Sequence, residues 1–547
     1  MRNKLQSCNQ LLLLCLTILL FDACEIAPKP FNLFTPLTFQ DSASQQEIQQ
    51  LMPEKPSAIL LQNWGFAIGD PKQGLTVNPV AIPNPNSLVL TPHRINMPNT
   101  PLWYFKRIQL NTPQLLVINA DDGAQVYYGG KRVKQHLPDC FALDATSDSM
   151  DLVIRVLNNA LEGGLRKAEL VNFEEGINYF NQVATLKMTT GQNESIPVRM
   201  LYAKPFIQRL EAGKYDIKIV ADSNAVLKLS YGTQPKQLTK TVAYQKQVEG
   251  IFTFSLSDLK PDTTYYFQIK QPPFYSELFA LKTEDTTLPF GFTAWGDSQG
   301  GWKTFQTLAQ NMVQKSPAFS IGLGDLVADG SEPSQWLGFL YALQPLSSTV
   351  PIFPVIGNHD YDGYYDDLIP VLYQQHIRSD NYFAWTYNNC YFVALDPNER
   401  FPIGIQDKQR EWFFEQIASK AWKNSEWRFV LLHQPPYSQG WKGYHGDEFI
   451  RELIDQNAAS AKIDFVLSGH SHCYERWSKQ YEQQQTHFLI LGGAGGGLED
   501  AESSEYPKMD TVIKAHHYGY FNVNKEGIDF EVIGLKGEVL EKIRFAK

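Results

Sequence analysis

Residues 352–360 read Ile352-Phe353-Pro354-Val355-Ile356-Gly357-Asn358-His359-Asp360. An apolar run that stops at a glycine and three polar residues reads as a buried strand opening into a turn. Glycine lets the chain turn sharply where side chains must point into a shared space. The pattern recurs around it. Phe292–Trp295 precedes Gly296-Asp297-Ser298-Gln299, and Phe319–Leu323 precedes Gly324-Asp325-Leu326. Trp427–Leu432 precedes His433-Gln434-Pro435-Pro436-Tyr437, and Ile463–Ser468 precedes Gly469-His470-Ser471-His472. Further apolar runs lie at 390–396 and 486–493, and Asp407–Lys420 has helical spacing through Trp412, Phe413 and Ile417. Strands separated by helices predict an α/β sheet system. Its functional groups are expected at the C-terminal ends of strands, which is where these motifs fall.

Asp, Asn and neutral His are hard or borderline donors suited to Zn, Fe or Mn, and the lack of cysteine among them argues against a thiolate zinc site. Each of these residues alone is commonly a cap or a turn. Five such motifs in order, all at strand ends, carry more weight.

The order Asp297, Gly324-Asp325, Gly357-Asn358-His359, His433, Gly469-His470-Ser471-His472 resembles the calcineurin-like metallophosphoesterases. With the His433-Gln434-Pro435-Pro436-Tyr437 segment and the glycine-rich 491–497, it looks most like their purple acid phosphatase branch. The resemblance covers residues 198–547 and implies two metal ions. Asp297 and His472 would bind the first, Asn358, His433 and His470 the second, and Asp325 would bridge. It further implies that His359 protonates the leaving oxygen or holds a phosphoryl oxygen, with Asp360 orienting its imidazole. Two positions depart from the pattern. Ala328 stands where purple acid phosphatases carry the tyrosine that ligates ferric iron, so a purple ferric-tyrosinate centre is not expected. Gln299 stands where many relatives have histidine; its amide oxygen either ligates the first metal or bonds to bound water. Two divalent ions, of Mn, Zn or Fe, are the expected cofactors. In the loop after Tyr437, His445 and Tyr444 are candidates for touching substrate and Trp441 for stacking on an aromatic leaving group; a plain solvated loop is the alternative.

Upstream, short strand-like runs at 88–90, 115–120, 124–129 and 152–157 predict a β-sandwich over 57–195. Leu102-Trp103-Tyr104 and the stretches 117–133 and 152–164 resemble galactose-binding-like domains, implying either a glycan-binding module or an inert spacer. Leu259–Phe267 resembles the tyrosine-corner segment of fibronectin type III-like domains, and Lys204–Leu210 the domain preceding the catalytic one in purple acid phosphatases, giving a second sandwich over 198–286. The expected fold class is therefore multidomain: two N-terminal β-sandwiches, then an α/β metallophosphoesterase sandwich over 287–547 with two mixed sheets flanked by helices.

Residues 1–23 have a positive start at Arg2 and Lys4 and an apolar run from Leu11 to Phe21, too short to span a membrane, and read as a signal peptide. Ala23-Cys24 resembles a bacterial lipoprotein cleavage site, implying a lipid anchor at Cys24; an ordinary signal peptide is the alternative. Residues 24–56 read as a tether. The expected location is outside the cytoplasm, in the periplasm or on the cell surface of a bacterium. Cys140, Cys390 and Cys473 form no disulfide framework. The chain of 547 residues carries a net charge of −10 and no long Lys/Arg run, which excludes the footprint of a nucleic-acid polymer binder. The expected activity is hydrolysis of small phosphomonoesters, with phosphodiesters second; a surface glycan-binding protein with a degenerate phosphoesterase domain is the rival.

Overall fold

Phenylalanines fill the centre of the C-terminal half. Phe292 stacks on Phe319 and Phe521 at ring separations of 5.0 and 4.5 Å, and Phe429 stacks on Phe392 and Phe465 at 4.7 and 4.8 Å. All six are buried and belong to one core. The computed structural model describes residues 29–547 apart from 34, 37–38, 40–41, 71–81, 98–99, 122, 159–161, 189–199, 249, 286, 362–369, 399–404, 406 and 500–506. The expected signal peptide and Cys24 lie outside the described residues.

Two sheets enclose that aromatic core. The first has six strands in the order Ile352–Val355, Phe319–Leu323, Phe290–Trp295, His517–Asn524, Gly527–Gly534 and Val539–Phe545. Its first three strands run parallel and the remaining neighbours pair antiparallel. The second has seven, in the order Phe383–Tyr387, Cys390–Ala394, Trp427–Leu431, Phe465–Ser468, Gln484–Leu491, Tyr474–Tyr481 and Thr511–Ile513. Alternate residues of a strand point to opposite faces, so a strand buried on both faces needs a second apolar layer outside. Helices Trp302–Gln314 and Pro333–Ser347 supply it for the first sheet. Helices Asp407–Ala418, Lys420–Asn424 and Glu448–Ala461 supply it for the second. The α/β sheet system is as the apolar runs predicted, and every candidate ligand motif follows a strand of the parallel sets.

The N-terminal half is antiparallel. Sheets of six and five strands, drawn from residues 58–172, share a core that includes Trp64, Tyr104, Phe141 and Ile154. The strand reading missed the helix Phe173–Met188 that follows them. Its signal was present: the Asn172 side-chain oxygen accepts from Glu174 N and Glu175 N at 3.1 and 3.2 Å, with both glutamates in the first turn. A second pair of sheets, mostly from residues 206–282, shares its own core. There the Tyr265 hydroxyl accepts from Lys260 N at 3.1 Å, the upstream tie expected of that segment. The stretch expected as a tether differs from expectation. Lys29–Pro30 pairs in parallel with Phe274–Tyr275, Asn32–Leu33 with Met200–Leu201, and Ser42–Gln50 is helical.

Both N-terminal units dock on the C-terminal domain. Arg209 Nη1 donates to Thr386 O at 3.2 Å and Asp285 N to the Tyr387 hydroxyl at 2.9 Å. Gln135 Nε2 donates to Ser331 Oγ at 3.2 Å. Among the described residues no helix is long and apolar enough to cross a membrane.

Candidate metal centre

Three of the expected ligands leave their strands in a left-handed backbone conformation: Asp297 at φ 63°, Asp325 at φ 50° and His470 at φ 70°. Such backbone costs of order 1–3 kcal/mol at a non-glycine residue and persists only where the surroundings enforce it. Here it swings each side chain off the strand axis into one space. The neighbouring glycines make room. A Cβ on Gly324, itself at φ 89°, would lie 2.6 Å from His433 Nδ1, and one on Gly357 would lie 2.2 Å from both the N and Oδ1 of Asp325.

Asp297, Asp325, Asn358, His433 and His470 are all buried. His433 donates from Nδ1 to the Leu323 carbonyl at 2.8 Å, so its Nε2 is left to face Asp325 Oδ2 at 3.1 Å and His470 Nδ1 at 3.3 Å. Ligand atoms of Asp325, His433 and His470 all lie within 4.8 Å of one another. His472 repeats the design. Its Nδ1 donates to Gly497 O at 2.6 Å and its Nε2 faces Asp297 Oδ1 at 3.5 Å. A backbone or carboxylate partner on one ring nitrogen fixes the tautomer that offers the other to a metal. His470 N donates to both Asp297 oxygens, at 3.0 and 2.9 Å.

The electrostatics follow from this crowding. Burial lowers the His433 and His472 imidazoles, but the carboxylates opposite outweigh it: Asp325 and Asp297 hold His433 up to about 9, and Asp297 holds His472 up to about 9. Burial and the neighbouring His433 push His470 well below its ordinary value. Burial raises the Asp297 carboxyl, whereas for Asp325 the charges of His433 and His359 overcome burial and hold it low.

The decisive atoms belong to Asn358. Its Oδ1 and Nδ2 are buried and have no hydrogen-bond partner. A buried amide without partners costs about 1–3 kcal/mol. It sits between Gly357 and His359, whose N donates to Asp325 Oδ1 at 2.9 Å. An orphaned amide oxygen beside converging carboxylate and imidazole lone pairs is a donor set that fits a divalent cation.

Residues 291–474 match the family model described as calcineurin-like phosphoesterase. That segment holds all six expected ligands. The domain is a calcineurin-like metallophosphoesterase. It is purple acid phosphatase-like, the domain of a metal-dependent phosphoester hydrolase. Purple acid phosphatase 21 of Arabidopsis thaliana is 25% identical over 314 residues, covering 53% of this chain and 70% of its own. Purple acid phosphatase 22 of the same plant is 26% identical over 312 residues, covering 51% and 68%. In fold, the chain is similar to purple acid phosphatase PPD1 from yellow lupin (Lupinus luteus) seeds, with a TM-score of 0.55 at 13% identity over 82% of this chain and 92% of that one.

One residue of the phosphoesterase domain acts otherwise than expected. Asp360 does not orient the His359 ring. Its Oδ1 accepts from Leu326 N and Val327 N at 2.8 and 3.2 Å, and its Oδ2 from Gly357 N at 2.8 Å. The carboxylate thus staples the Asp325 turn to the Asn358 turn, and burial with the nearby Asp325 charge pushes its carboxyl well up. What His359 Nδ1 meets is the Ala328 carbonyl, at 3.0 Å. Adjacent residues after a strand point apart, which is why sequence neighbourhood misled. Asp360→Ala should leave three buried N–H groups unpaired and cost roughly 3 kcal/mol or more. Urea unfolding checks this; unchanged stability with lost activity would restore the imidazole-orienting role.

The Gln299 amide nitrogen has a partner that neither alternative for its oxygen foresaw. Its Nε2 donates to Asp325 Oδ2 at 2.6 Å. Trp441 and Tyr444 pack their rings edge-on to His470, with centroids 5.4 and 5.2 Å away. His445 is exposed, and its carbonyl accepts from Arg451.

Two supports were missed. Buried Glu475 accepts from Ser438 Oγ, Gln439 N and Ser471 Oγ at 2.8, 2.6 and 3.0 Å, tying the His433 loop to the His470 loop. Asp396, at the end of its strand, accepts from Tyr361, Asn381 and Asn398, and Asn398 accepts from Gln434. Asp396, a lone acid ending an apolar run, was the one of the two with a mark in the sequence. The glycine-rich 492–497 packs on the first motif: Ala494 N donates to Gly296 O at 3.0 Å and Gly496 N to Asp297 O at 2.8 Å.

Proposed function

We propose that this chain hydrolyses phosphomonoesters at a binuclear centre. The observation that carries the reading is the orphaned Asn358 amide among buried carboxylate and imidazole donors. Asp297 and His472 would hold one ion, Asn358, His433 and His470 the other, and Asp325 both. Two divalent ions of Mn, Zn or Fe held there would supply Lewis acidity and would make bound water more acidic.

The protein's own groups set the rest. Asp325 is held rigid by His359 N on one oxygen and Gln299 Nε2 on the other. Because His359 Nδ1 must carry a proton to meet the Ala328 carbonyl, its Nε2 is the atom that gains and gives the second proton. Protonated there, it delivers that proton to the leaving oxygen. The His359 side chain is 22% exposed, so substrate can reach it. Trp441 and Tyr444 fix the His470 ring and shield it from water.

The test is release of nitrophenol from mono- and bis-nitrophenyl phosphate with added Mn or Zn, then after exhaustive chelation. The monoester should turn over faster, and chelation should abolish the activity. Undiminished activity in the metal-free protein would defeat the reading. With Ala328 in place of a tyrosine ligand, the active protein is proposed to be colourless.

We further propose export through residues 1–23, with lipid on Cys24 and a bacterial periplasmic or cell-surface location. The support is the Arg2/Lys4 start, the apolar run and the Ala23-Cys24 junction.

A further inference from the structure

A second polar cavity lies away from the metal centre, at the seam between the 206–256 strands and the segment 374–380 of the catalytic domain. Arg378 is its most telling residue. Its side chain is 11% exposed, and its Nε and Nη1 are buried with no hydrogen-bond acceptor. The guanidinium lies over the Phe383 ring at 3.8 Å, and its ion-pair partner Asp380, at 3.6 Å, is 64% exposed.

Two more cations line the same cavity, Lys218 and Lys246. Lys218 Nζ donates across the seam to the Ile377 carbonyl. Burial lowers the Lys218 ammonium to about 8; Asp216 opposes that shift, and Arg378 and Lys246 add to it. Asp216, the inner acid, accepts from Ser255 Oγ at 2.6 Å. Gln208 is 2% exposed, and its Nε2 has no acceptor. Gln375 Oε1 is likewise unpaired, and half a turn of that amide would add another donor.

Three cations thus face two acids, and three buried N–H-bearing atoms lack an acceptor. Buried donors are normally satisfied by protein, water or a ligand. The space is about 130 Å³, several times the roughly 30 Å³ share of one water.

We propose that this cavity binds a tetrahedral oxyanion, inorganic phosphate or sulfate, through Arg378, Lys218, Lys246 and Gln208. The anion neutralises the surplus charge and accepts charge-assisted hydrogen bonds from the guanidinium. It bridges the second N-terminal unit to the catalytic domain, so binding tightens the seam. The site is independent of the phosphatase reading, because no metal ligand contributes to it.

The experiment is calorimetric titration of the metal-stripped full chain with sodium sulfate and with inorganic phosphate, at fixed ionic strength in chloride. One saturable site is expected for each, with mutual competition. Arg378→Gln and Lys246→Glu should each weaken it at least ten-fold, and Asp325→Asn should leave it unchanged. Lys246 is exposed, so its variant tests the site without disturbing the core. No saturable binding, or binding that both variants leave intact, overturns the proposal. Binding lost in Asp325→Asn would assign the anion to the metal centre and overturn it equally.

Discussion

Asp325→Asn is expected to lower turnover of nitrophenyl phosphate by about a thousand-fold, the equivalent of several kcal/mol of charge stabilisation at the reacting centre. The substitution is isosteric, so His359 N keeps an acceptor at one side-chain atom. The other atom becomes an amide nitrogen facing Gln299 Nε2, formerly 2.6 Å from a carboxylate oxygen. Donor then opposes donor, and the one negative charge lying between the two sets of ligands is gone. Circular dichroism should show an intact fold and metal analysis a loss of bound ion. Turnover within a few-fold of the parent would contradict the role given to Asp325.

Gly357→Ala should act almost as strongly without replacing a ligand. The new methyl would lie 2.2 Å from Asp325 N and 3.0 Å from its Cα, and backbone cannot swing aside as a side chain can. The Asp325 turn must shift by a large fraction of an ångström or more, and displacements near 1 Å at a reacting centre cost about a hundred-fold. The Asp360 staple spans this same junction and transmits the shift to Asn358. We expect kcat to fall by about a hundred-fold with a weakened metal affinity. A crystal structure of the variant with Asp325 unmoved, or full activity, would show that the junction is softer than its packing indicates.

The catalytic domain was legible because two signals coincide there. Apolar runs such as Phe319–Leu323 and Trp427–Leu431 announce strands, and the polar residue that ends each run is the one that the chain's turn aims inward. The coincidence marks where candidate ligands lie; their sharing between two ions is what the family resemblance implies. What the sequence could not show was who holds whom. Asp360 bonds to backbone N–H groups 3 and 34 residues away, and Gln299 to a carboxylate 26 residues away. Those partners exist only once separate turns are stacked. Arg378 is the extreme case: its Nε and Nη1 are buried without acceptors where one domain docks on another, which no local pattern records. The helix Phe173–Met188 is different, since Asn172, Glu174 and Glu175 had marked its start.

The pairing of Lys29 with Phe274 has a consequence for geometry at a membrane. Were Cys24 to carry lipid, five peptide steps would separate it from the anchored Lys29, a contour of at most about 18 Å. The body would then ride close against the bilayer, and its freedom to sweep over a wide radius in search of substrate would be small.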